Sequence, residues 1–173
     1  MNNHLALLKT IQPSPKIIEG EIPCISDMDI IFSQALLMDA GSITFKAIKS
    51  GEIADILAGL IALAYAALQA LARQDKDIVE NQGEGHQEYQ ILAIMRQLSD
   101  QISHCSSGEA KRYSELYHLC ASLASGFLNA DFDKAFQVYH EWQIACRSSC
   151  NETDKTHDLH KTKLPDMTDC LYE

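Results

Sequence analysis

EIADILAGLIALAYAALQALAR, residues 52–73, is the stretch on which the reading of the whole chain depends. No charged residue falls between Asp55 and Arg73, and Ala and Leu, both strong helix formers, dominate. A helix apolar on every side is buried either in protein or in lipid. The uninterrupted run ends at Gln69 and is shorter than the roughly 18–20 residues of a membrane span, so the expectation is a helix buried in protein. Its small residues, among them Ala58, Gly59 and Ala62, allow neighbouring helices to come close. Its polar start carries Glu52 and Asp55, whose i, i+3 spacing sets both carboxylates on one face. Acids are favoured at a helix N-terminus on electrostatic grounds alone; the same spacing is also half of a metal site.

Working outward, Ser50-Gly51 is a connection short enough to make the preceding segment an antiparallel neighbour of this helix. That segment is predicted to be a helix from about residue 29 to 48, started by Ser26-Asp27-Met28-Asp29 and weakened at Gly41-Ser42. After Arg73 the stretch QDKDIVENQGEGHQE reads as a solvated linker. Helical period returns with Ile91, Met95, Leu98 and Ile102, breaks at Ser106-Ser107-Gly108, and resumes with Tyr113, Leu116, Cys120, Leu123 and Phe127. Asn129-Ala130-Asp131 reads as a stop and a new cap before a last helix carrying Phe132, Phe136, Tyr139 and Gln143 on one face. No stretch alternates in the manner of a strand. The fold class expected is all-α, a bundle of about five helices.

Three segments follow from this reading: a Pro- and Gly-containing extended lead-in at 1–25, a helical domain at 26–148, and a polar, disordered tail at 149–173 that adds little to stability. The net charge of −10 argues against a nucleic-acid or anionic membrane partner. The first residues lack the pattern of a secretory signal, and six cysteines are too few for a disulfide scaffold, so reduced thiols and a cytoplasmic location are expected.

The segment ALLMDAGSITFKAIKSGEIADILAGLIALAYAAL resembles the all-α nucleotide pyrophosphohydrolases, the MazG-like and phosphoribosyl-ATP pyrophosphohydrolase-like superfamily. The resemblance rests on Leu36-Leu37-Met38-Asp39 and on Glu52-Ile53-Ala54-Asp55-Ile56-Leu57-Ala58-Gly59-Leu60, with a weaker echo at Asp131–His140. It implies a MazG-like bundle, a homodimer that buries the apolar helix, and Mg²⁺ held by facing carboxylates of two antiparallel helices. In such an enzyme the ion neutralises phosphate charge and activates water for release of pyrophosphate from a nucleoside triphosphate. Carried over by position, Glu52 and Asp55 are the metal ligands, Asp39 a weaker third, and His140 a nucleotide contact. The departures are as informative. Ala40 and Ile43 stand where the first helix of relatives carries its two glutamates, and Gly59 where the second carries a further acid. Two functions therefore remain open: a catalytically degenerate member kept for binding or assembly, which the missing ligands favour, and an active Mg²⁺-dependent nucleotide pyrophosphohydrolase.

Other clusters read as structure. Cys146, Cys150, His157 and His160 have the composition of a zinc site, without the spacing of a familiar finger. His104-Cys105 and His118 with Cys120 suggest a nucleophile and a base, but both thiols lie on or beside apolar stripes, which points to core packing.

Overall fold

The computed structural model describes residues 2–11, 26–80, 90–149 and 163–172. Among these the protein is all-α, with six α-helices: α1 (Asn2–Ile11), α2 (Asp27–Ser50), α3 (Ile53–Arg73), α4 (Ile91–His104), α5 (Ala110–Gly126) and α6 (Phe132–Ser149). Helix α3 is the axis. It touches α1, α2, α5 and α6, and every residue from Ile56 to Ala72 is buried. By length and composition α3 could cross a membrane, yet 83% of its most apolar window is buried inside the protein. Its many alanines present a thin profile, so the helices of one chain suffice to cover it. The apolarity of α3 is therefore accounted for within one chain.

Local chemistry sets the helix ends. Ser26 caps α2, its hydroxyl accepting from the Asp29 amide at 3.2 Å. Gly51, at φ 82°, closes α2 in the left-handed region that glycine enters without strain. Asp131 caps α6 by accepting from the Lys134 amide at 3.0 Å. Gly41, expected to weaken α2, lies within a continuous helix. A Cβ there would meet Ile102 of α4 at 2.9 Å, so the glycine serves close packing.

The two chain ends depart from expectation. Residues Asn2–Ile11 are helical rather than extended, and Leu5 and Leu8 of α1 are buried in the core. Lys9 ties α1 to the turn after α3, 3.3 Å from both Asp75 and Asp77. Residues 163–172, expected to be disordered, are folded against the corner between α5 and α6. There the Asp131 amide donates to the Cys170 carbonyl at 2.8 Å and the Tyr172 amide to Asn129 at 3.0 Å. Met167 and Cys170 are buried. Because Met167 is fully enclosed, Met167→Ala should cost about 2–4 kcal/mol, read as a lowered urea midpoint with an unchanged slope. An unmoved midpoint would show that the segment adds nothing to stability.

Candidate functional site

The acidic pair sits where the sequence places it, at the start of α3. Glu52 is the N-cap residue, with no capping bond from its side chain, and both Glu52 and Asp55 are exposed. What faces them is decided by the crossing of α2 and α3. Gly59 lies against Thr44 so closely that a Cβ at 59 would stand 2.8 Å from both the Cα and the Oγ1 of Thr44. Thr44 and Ala40 are wholly buried, and the Thr44 hydroxyl is satisfied by the Ala40 carbonyl at 2.8 Å. The crossing is a buried, close-packed contact.

Asp39 is not gathered to the acidic pair. With Thr44 level with Gly59 in an antiparallel hairpin, Asp39 and Asp55 are offset by about 13 Å along the helices. Asp39 is half-buried, near enough to Tyr139 of α6 for its charge to oppose ionisation of that phenol. Among the described residues no three His, Cys, Asp or Glu side chains converge as a metal-ligand set. Glu52, Asp55 and Asp39 together do not fit the carboxylate cluster that Mg²⁺ requires. Cys150, His157 and His160 lie outside the described residues.

His140 faces inward. It is buried, with Nδ1 3.3 Å from the Tyr65 hydroxyl in the middle of α3. A second buried histidine, His4 of α1, lies in the same layer, its ring stacked on Phe136 with centroids 4.0 Å apart and planes 11° from parallel. His4 Nδ1 is 3.0 Å from the Tyr117 hydroxyl, and Nε2 is 3.4 Å from Asp133. A neutral imidazole suits both neighbours, with Nε2–H facing the carboxylate and Nδ1 accepting from the phenol. Tyr65, Tyr117 and Tyr139 complete this layer, and burial raises all three phenols, Tyr65 to about 12. Asp133, His4 and Tyr117 form a relay in outline. However, Tyr117 is fully enclosed, so a substrate has no approach to its hydroxyl. The sequence reading passed over His4, Tyr65 and Tyr117, and gave Asp133 no role of its own within the Asp131–His140 echo. The Leu5 and Leu8 spacing beside His4 was the available signal.

Burial holds both histidines below their ordinary value; His4 is opposed by Asp133, whereas Arg147 adds to the effect at His140. The unfolded chain therefore binds protons that the folded chain resists, and stability is lost as the pH falls below the unfolded value of 6.5. Urea midpoints should decline across that window, with a shallower slope in a His4→Gln/His140→Gln protein. An identical slope in that variant would assign the decline to other groups.

The thiols belong to the core. Burial raises Cys105 to about 12 and Cys120 further, so neither is a nucleophile at neutral pH. His104 is exposed, and His118 donates from Nε2 to the Val79 carbonyl at 3.1 Å. One groove opens between α2 and α4, with a volume of about 440 Å³. It is lined mainly by apolar surface, with Lys46 and Lys49 on the α2 side. No family model, curated protein or solved structure matches the chain.

Proposed function

We propose that this protein is a binding or assembly module on a MazG-like helical bundle, without the Mg²⁺-dependent chemistry of the nucleotide pyrophosphohydrolases it resembles. One contact carries the reading. The packing of Gly59 on Thr44 occupies the place where a second-helix acid would face the first helix. Glu52 and Asp55 are left as two exposed carboxylates at a helix start, a position that electrostatics alone explains. The burial of α3 supports a core helix rather than a membrane span; a cytoplasmic location without a membrane or nucleic-acid partner is part of the proposal and rests on the net charge of −10.

Pyrophosphate release should be absent over a panel of nucleoside triphosphates with Mg²⁺ or Mn²⁺. Millimolar Mg²⁺ should leave the melting temperature in place, because a ligand stabilises only as far as it binds the folded state. Glu52→Gln/Asp55→Asn should fold as stably as the parent, since two exposed like charges at this spacing interact by a few tenths of a kcal/mol. Turnover abolished by Glu52→Ala, or a metal-dependent shift lost in the double variant, would restore the hydrolase.

A further inference from the structure

Helix α2 is apolar on the side that α3 does not use. Met28 is 70% exposed, Ile31 58% and Met38 52%, and with Ala35, Ser42 and Phe45 they recur at the three- and four-residue steps of one helix face. The two ends of this face differ in charge. Asp27 stands at the start of α2, and Lys46 and Lys49 in its last two turns, whereas Asp29 is turned to the other side of the helix and accepts from the Ser26 hydroxyl at 2.6 Å. Their shapes differ as well. The first half offers protruding Met28 and Ile31, whereas the second half borders the groove between α2 and α4, where Phe45, Lys46 and Lys49 face Ile102 and Ser103.

We propose that this face is a self-docking surface on which a second copy of the chain lays its own α2 antiparallel to the first, about a twofold axis near Met38. This deepens the assembly reading above and rests on it. The point midway between the acidic and basic ends of α2 falls at residue 38. A twofold there sets Asp27 of each copy level with Lys49 of the other, and opposes the two helix dipoles. Met28 and Ile31 of the second copy then lie over the groove, and the same contact repeats on the other side of the axis. A parallel pairing would set acids against acids and protrusions against protrusions. Asp39, the one charge between Asp29 and Lys46, is turned about 100° from Met38, within electrostatic reach of Tyr139. Phe32 flanks the face and is held by Arg73, whose guanidinium carbon is 4.1 Å from the ring centroid.

Sedimentation equilibrium of the full chain across the micromolar range tests the pairing. The expected result is a reversible monomer–dimer equilibrium. Ile31→Glu should weaken it by at least about 30-fold, the loss expected when an apolar anchor seated in a groove is replaced by a charge. Lys49→Glu should weaken it as well, and Asp27→Lys/Lys49→Glu should regain most of the loss. This exchange keeps the proposal testable even if Ile31→Glu disturbs the fold, which circular dichroism would report. A monomer at every concentration, a dimer indifferent to Ile31→Glu, or no recovery on charge exchange would overturn the pairing. So would a native mass spectrum of a monomer that retains a small molecule. A monomer without nucleotide turnover would overturn the pairing and leave the assembly reading to another partner. A dimer with turnover would overturn that reading and leave the pairing.

Discussion

Gly59→Asp, which places an acid where the pyrophosphohydrolases that the sequence resembles carry one, is expected to leave the protein unable to fold. The new Cβ would stand 2.8 Å from the Thr44 backbone, a distance that no rotamer change relieves, so α2 and α3 would have to separate. Forced separation of a packed interface costs about 1–3 kcal/mol, and an unpaired carboxylate in an apolar contact adds several more. Together these approach the whole stability of an ordinary domain, about 5–15 kcal/mol. Gly59→Ala, with the overlap but without the charge, should fold with a loss of about 2–3 kcal/mol by urea denaturation. A soluble, folded Gly59→Asp protein stabilised by Mg²⁺ would show instead that the crossing can open, and the hydrolase reading would return.

His4→Ala carries the other large effect. It removes a ring stacked at 4.0 Å on Phe136, leaves the Tyr117 hydroxyl without its histidine partner inside the core, and loosens the hold of α1 on α5 and α6. The cavity and the orphaned hydroxyl together should cost about 3 kcal/mol. The loss should be uneven, with amide exchange in α1 accelerating well before that of α3 or α5. His4→Gln, which can still accept from Tyr117, should recover part of the stability. Uniform acceleration across all helices would show that α1 is no separate cooperative unit.

The central architecture was legible because it rests on side-chain patterning. The apolar run of α3, the stripes of α4, α5 and α6, the Ser26 and Asp131 caps and the Gly51 stop are all written in residue type and spacing. The ends were not. Proline and glycine between Pro13 and Pro23 coloured the reading of the first 25 residues and concealed a ten-residue helix anchored by His4, Leu5 and Leu8. The segment 163–172 is held largely by backbone hydrogen bonds and two enclosed side chains, Met167 and Cys170, and backbone bonds leave no compositional trace. At the candidate site the position of Glu52 and Asp55 followed from sequence, but their surroundings did not. Those depend on the face that α2 turns to α3, fixed by the meeting of Gly59 with Thr44. The inward turn of His140 escaped for the same reason, because its partner Tyr65 lies 75 residues away.

The complete enclosure of α3 also bears on how the protein fails. Its neighbours come from both ends of the sequence, so loss of the bundle releases the least soluble stretch of the chain as one continuous block. Without denaturant, such a block associates with its own kind faster than α1, α5 and α6 can close over it again. Heating in plain buffer should therefore give a transition that shifts with scan rate and does not reverse on cooling. The lifetime of the native protein would then be set by the barrier to opening rather than by the free-energy gap beneath it.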